Sequence, residues 1–210
     1  NSLYCQASRG KFESLYLEGL AQLMLTLGRF ASDMLLYTTQ EFEFFTVDAA
    51  LVTGSSIMPQ KRNLDGLEMM RGNISVLQGY QHTVQGIAKG LISGYHRDLQ
   101  LIKKPLILGT DTVSRSLRVA KLYLEGLAPN QETIEAAITK DIFTADVANQ
   151  LVQEQKIPFR EAYQQAADQL AKQEIDVQEN LQSKISLGAP GNLDLDRYQE
   201  RLQILESEWE

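Results

Sequence analysis

Between Phe12 and Tyr37 the apolar residues Tyr16, Leu20, Leu23, Leu27, Phe30, Met34 and Tyr37 recur in alternating steps of four and three. That spacing is a heptad seam and predicts one long helix. Leu67, Met70, Ile74, Leu77, Val84 and Leu91 repeat it on a second helix, with Gln81 and Ala88 in the remaining seam positions. Leu106, Thr110, Val113, Leu117, Ala120, Leu124 and Leu127 predict a third, begun by Pro105 in its first turn, where the missing N–H costs nothing. Helices of roughly 25 residues span roughly 35 to 40 Å at 1.5 Å per residue, which suits an elongated bundle rather than a ball.

On the second helix Gly72, Gly79 and Gly86 recur every seventh residue along one face. Each costs about 1 kcal/mol of helix propensity against alanine. Small residues there would let another backbone approach closely; the alternative is chance spacing in a tolerant helix.

The pattern changes around Ala128-Pro129-Asn130. Shorter helices are predicted over 132–140, 144–155, 158–173 and 177–185, set apart by Asp, Pro and Gly signals. Ser186 to Asn192 reads as a loop, and a last helix from about Asp196 carries Tyr198, Leu202 and Leu205. No segment shows the sustained alternation of a strand. The chain is therefore expected to be all-α: a long-helix bundle over residues 1–127, followed by a small all-α domain over 128–210.

A chain of 210 residues can bury a real core. Its net charge of −7 argues against nucleic acid as a partner, because a phosphate backbone needs a basic face. No run of about eighteen uncharged apolar residues suggests a membrane span. Cys5 is the single cysteine, so no internal disulfide forms, and no basic or histidine neighbour makes it a reactive thiolate. His82 and His96 are too few for a zinc set, and His82, on the polar side of its helix, is expected to be solvated. A reducing, cytoplasmic setting is the default. The chain begins at Asn1 with no basic-then-apolar leader, and reads as an internal or C-terminal piece of something longer.

The richest chemistry lies in Thr53-Gly54-Ser55-Ser56-Ile57-Met58-Pro59-Gln60-Lys61-Arg62-Asn63. A Gly-Ser-Ser turn, a cation and an amide within one loop suit the stabilisation of an anion. The loop runs into Leu64-Asp65-Gly66-Leu67-Glu68, where Asp65 and Glu68 read as a capping box opening the second helix. That helix would bring its positive end beside the loop.

The string resembles the Gly-Ser-Ser-x-Met-Pro-x-Lys-x-Asn signature loop of the fumarase/aspartase superfamily, and its Gln60-Lys61 variant resembles the argininosuccinate lyase family. A second stretch, Lys89-Gly90-Leu91 through Tyr95-His96-Arg97-Asp98-Leu99-Gln100-Leu101-Ile102-Lys103, is similar to the Lys-Gly-Leu-Pro-x-x-Tyr-Asn-x-Asp-Leu-Gln-x-x-Lys segment of that family. Asp141 to Ala148 and Lys156 to Ala162 resemble its C-terminal domain, so the likeness covers nearly the whole chain.

The resemblance implies a β-elimination that splits argininosuccinate into arginine and fumarate, without metal or organic cofactor, in a homotetramer. A truncated piece would associate as a dimer. Ser55 is then the general base, with Ser56 a hydrogen-bonding loop residue. Lys61 and Asn63 hold the reacting carboxylate, and Glu68 orients a histidine supplied by another part of the assembly. For Glu68 the plain alternative is helix capping. Tyr95, Gln100 and Lys103 contact substrate. Arg9 falls where the family has an arginine, but Tyr4 and Gly10 depart from its pattern nearby. Leu64 stands where the family has proline, which loosens the helix start, and His96 replaces an asparagine. The family's other two signature regions, one carrying a Thr-x-x-His, are absent, and the active sites of the superfamily draw on three subunits. The isolated chain is therefore expected to be inactive. Other readings are a sister lyase (fumarase, aspartase or adenylosuccinate lyase) or a non-catalytic, crystallin-like relative. Intact Ser55, Lys61, Asn63 and Glu68 disfavour the latter.

Overall fold

The computed structural model describes residues 1–171 and 175–208, which divide into two compact units, Asn1–Ala137 and Ile138–Glu210. The first unit contains α1 (Ser2–Ala7), α2 (Lys11–Tyr37), β1 (Phe45–Val47), α3 (Asp65–Ala88), α4 (Lys103–Gly126), β2 (Leu127–Pro129) and α5 (Gln131–Ala137). The three long helices lie within a turn of where the periodicity predicts them.

The middle helix, α3, runs antiparallel to both α2 and α4. The Gln81 amide donates to Glu18 Oε2 at 2.6 Å, tying α3 to α2, and Asn73 donates to Ser116 Oγ at 3.4 Å, tying α3 to α4. On α3 the expected seam is the buried one: Leu67, Met70, Leu77 and Val84 are core residues. Burying each such side chain is worth roughly 1.5–3 kcal/mol.

On α2 and α4 the buried face is rotated from the expected one. The core of α2 is Leu17, Ala21, Met24 and Ala31, while Tyr16 and Leu23 of the predicted seam stay 47% and 37% exposed. The core of α4 is Pro105, Gly109, Val113, Ser116, Ala120 and Tyr123, while Leu117 and Leu124 are 42% and 65% exposed. The physical reason is close approach. A Cβ at Gly109 would sit 2.7 Å from Leu17 Cδ2 and 3.1 Å from Leu77 Cδ1, so the small residues of α4 face the other two helices. Counting large apolar residues cannot find such a face. A Cβ at Gly72, Gly79 or Gly86 would meet nothing within 4 Å, so among the described residues no other backbone approaches them.

The fold is all-α as expected, with one short strand pair added to it. Phe45–Val47 and Leu127–Pro129 pair antiparallel, Thr46 opposite Ala128. Three-residue strands are too short to show alternation, and their partners lie far apart in sequence. This pairing, extended by the Asn130 N–H donating to Phe44 O at 2.8 Å, keeps residues 127–130 with the first unit. The division therefore falls after Ala137 rather than after 127.

The second unit contains α6 (Thr144–Gln155), α7 (Phe159–Leu170), α8 (Val177–Ser183) and α9 (Leu195–Ser207). Phe143, Val147, Ala148, Leu151, Ala162, Ala166 and Leu170 form its own core. Lys184 pairs with Asp146 at 2.5 Å, joining the end of α8 to α6. The helix expected over 158–173 ends by Leu170, and Gln173 lies outside the described residues.

Candidate active site

The loop expected to stabilise an anion is closed at its neck by a backbone bridge. Thr53 and Asn63 exchange N–H···O bonds of 2.9 Å in both directions. Thr53 Oγ1 also donates to Asp65 Oδ2 at 2.6 Å. The capping box is thereby overturned. The N-cap of α3 is Leu64, without a side-chain cap, and the Asp65 carboxylate is spent on the neck instead. Leu64, where a proline would have fixed φ, is 8% exposed and belongs to the core, so burial anchors the helix start.

Within the loop Ser55 is half-buried, and its Oγ accepts from the N–H groups of Ile57 at 3.3 Å and Met58 at 3.2 Å. Amides aimed at one oxygen favour charge on it. Asn63 Nδ2 reaches back to Gly54 O at 3.5 Å, and the Lys61 N–H donates to Met58 O at 3.0 Å. Lys61, Asn63 and Glu68 line one cleft of about 440 Å³, floored by Leu35, Val47, Val52 and Leu64. Ser55 is not among its lining residues. Arg62 is, a second cation beside Lys61 that the sequence reading passed over, as are Thr38, which caps the end of α2, and Asn130, which the β1–β2 pairing brings near. Glu68 sits in the first turn of α3, whose positive end faces the same region.

The second group lies elsewhere. After Ala88 the chain turns through Gly90 (φ +82°) and Gly94 (φ +113°), then makes a 3₁₀ segment, Arg97–Ile102, anchored by buried Leu99 and Ile102. Gln100 Nε2 donates to Tyr95 Oη at 2.9 Å, so these two expected residues are brought together, at the foot of the α4 that Lys103 begins. His96 Nε2 lies 2.8 Å from Ile92 O, a local tie within the turn. Arg9 pairs with Glu13 at 3.3 Å, and Gly10 N–H also donates to Glu13 at 2.7 Å, so Arg9 serves the start of α2.

Register separates the two groups. Gly66 faces Val119 and Tyr123, Asn73 bonds Ser116, and Gly109 faces Leu77 and Tyr80, so the start of α4 lies toward the end of α3. From Glu68 to Ala88 α3 rises about 30 Å at 1.5 Å per residue. One copy of the chain therefore does not bring Lys61, Asn63 and Glu68 together with Tyr95, Gln100 and Lys103. Among the described residues no group of His, Cys, Asp and Glu could hold a metal ion, and no helix is long and apolar enough to cross a membrane.

Comparison with known proteins identifies the chain's relatives. A family model described as lyase matches residues 12–79. The chain is 44% identical over 203 residues to argininosuccinate lyase of Sorangium cellulosum, covering 96% of this chain and 47% of that protein. It is 39% identical over 173 residues to argininosuccinate lyase of Thermotoga neapolitana, covering 82% and 43%. The chain is a homologue of argininosuccinate lyases over most of its own length. It spans about half the length of these relatives. Its fold is like that of EDDS lyase in complex with formate, with a TM-score of 0.74, 19% identity, and 93% of this chain and 48% of that one covered. It is also like 3-carboxy-cis,cis-muconate lactonizing enzyme from Pseudomonas putida, with a TM-score of 0.61, 20% identity, and 79% and 38% covered.

Proposed function

We propose that this chain is part of an argininosuccinate lyase, and that the whole protein splits argininosuccinate into arginine and fumarate, a step of arginine biosynthesis in the cytoplasm. The observation that carries this reading is the loop of residues 53–63: a serine oxygen cradled by two amides, on a neck that sets Lys61 and Asn63 into one cleft with Glu68. The first compact unit, through Ala137, is read as part of the central helical domain of the lyase, and the second as a small helical C-terminal domain.

In the reaction a proton leaves the carbon next to a carboxylate, and its electron pair first accumulates on that carboxylate as a dianion. The pair then forms the C=C bond of fumarate as the C–N bond breaks and its electrons leave with the guanidino nitrogen. Ser55 is the base, and its oxygen must bear charge, which the Ile57 and Met58 amides favour. Lys61 and Asn63 meet the growing charge of the dianion, where one such donor is worth about 3 kcal/mol. Tyr95, Gln100 and Lys103 bind the substrate, and no metal or organic cofactor is required.

The separation along α3 supports assigning these two groups to different sites, so that a complete site draws on at least two copies. The 210 residues contain no Thr-x-x-His, so the histidine that Glu68 would orient comes from beyond them. Self-association is supported by the outer face of α3, where Met69 and Val76 are exposed and Gly72, Gly79 and Gly86 stand open. A homotetramer built on that face would complete the sites. A protein comprising these residues and the remaining half of the family's length should release fumarate from argininosuccinate and not from malate, aspartate or adenylosuccinate, while the 210-residue chain alone should release none. Fumarate from the isolated chain would sink the shared-site reading, and turnover of a different substrate would reassign the chemistry.

A further inference from the structure

The neck of the loop is held from inside the bundle by a residue that belongs to neither group. Tyr123, near the end of α4, is 3% exposed, and its hydroxyl donates to Leu51 O at 2.9 Å. Leu51 closes the short 3₁₀ turn Ala49–Leu51 immediately before the loop. The same ring lies against the other side of the neck. A Cβ at Gly66 would stand 2.7 Å from Tyr123 Cε2 and 3.2 Å from its oxygen, so only glycine fits in this turn of α3. The phenol's pKa is raised above its ordinary value mainly by burial, with Asp65 and Glu68 adding to the rise and the Gly66 and Leu67 amides opposing it. One phenol therefore touches the backbone just before the loop and just after it. Outside, Thr53 and Asp65 tie the same neck across exposed surface.

We propose that Tyr123 is a positioning residue for the lyase reaction: by bridging Leu51 and the first turn of α3 it fixes the neck on which the Ser55, Lys61 and Asn63 loop is carried. It touches no reacting atom. Its effect passes through the loop, because a donor displaced by a fraction of an ångström from the developing charge loses its advantage in the transition state more than in the ground state. This inference rests on the function proposed above.

The test is Tyr123→Phe in the full-length lyase, which keeps the ring and removes the hydroxyl, with Tyr80→Phe elsewhere in the bundle as control. Amide hydrogen exchange over residues 51–67 should quicken by about tenfold, as expected for one lost buried hydrogen bond. The kcat for fumarate release should fall by about tenfold with KM nearly unchanged, because loop donors act on the transition state. Tyr80→Phe should alter neither. If Tyr123→Phe does not fold, Thr53→Val loosens the same neck from the surface and must lower kcat in the same sense. Faster exchange with unchanged kcat would overturn the positioning role, as would unchanged exchange in both neck variants. A parent protein that releases no fumarate from argininosuccinate defeats the proposed function instead, and the exchange data then report separately whether Tyr123 holds the neck.

Discussion

The two ends of the α3–α4 hairpin carry candidate residues in opposite ways. At the start of α3 the loop is long and polar, and its order is imposed at the neck by the Thr53–Asn63 bridge, the Thr53–Asp65 bond and the buried Tyr123. Beyond the end of α3 the connection is anchored in its own body. Leu99 and Ile102 are buried, and the Tyr95–Gln100 bond is made between near neighbours, with Tyr95 itself 58% exposed. The first arrangement lets a loop move as a unit about a fixed base, which suits closure over a substrate. The second presents a rigid, open surface, which suits binding. On the proposed function, one chain offers the chemical half of a site at one end and the binding half at the other.

The largest effect should come from the loop end. In the full-length lyase Ser55→Ala is expected to lower kcat by about a thousandfold, within the usual range for removing a general base, and to leave KM within a few-fold. Ser56→Ala should cost far less. The reverse ranking in steady-state kinetics would move the base to Ser56.

Lys103→Ala should act mainly at the binding end and raise KM. Neither variant should be active when pure at ordinary substrate levels, yet co-expressing Ser55→Ala copies with Lys103→Ala copies should restore part of the activity. Mixed assemblies contain sites whose loop and binding segment are both intact. No recovery from a demonstrably mixed oligomer would mean that the two ends serve one site after all.

A smaller effect is expected between the ends. Gly79→Leu places a large side chain on the open face of α3 and should weaken assembly by about 1–3 kcal/mol per crowded contact, while single-subunit helicity is kept. Light scattering and circular dichroism read the two quantities; an unchanged mass would leave that face without a partner.

The smallest effects are in pH. Burial raises the Tyr123 pKa above its reference value of 10.0, so folding favours the neutral phenol. Its contribution is complete below that value and is lost as pH climbs through the folded pKa, which Tyr123→Phe should abolish in denaturation curves taken in alkali. Glu18 behaves in the opposite sense. Hydrogen bonds from Gln22 and then Gln81 lower its pKa, so its contribution is present above the ordinary glutamate value of 4.5 and lost as pH falls through the folded value. Gln81→Leu should flatten that acid limb slightly.

Much of this was legible without coordinates. The three long helices, the α6 span of Thr144–Gln155 and the core seam of α3 follow from local periodicity, because a helix repeats its environment every turn. The loop of residues 53–63 was legible as chemistry because its residue types are unusual together. The core faces of α2 and α4 were not, since at Gly109, Ser116 and Ala21 burial is decided by how closely two backbones approach and not by side-chain hydrophobicity. The β1–β2 pair, the use of Asp65 on Thr53 instead of a cap, and the role of Tyr123 all join residues distant in sequence or compete with a local alternative. Local pattern was enough for the long helices and for the chemistry the loop can bear. Tertiary structure alone decided which faces are buried, what holds the loop, and that the two groups of site residues stand a helix length apart, because those outcomes depend on non-local contacts that no local pattern encodes.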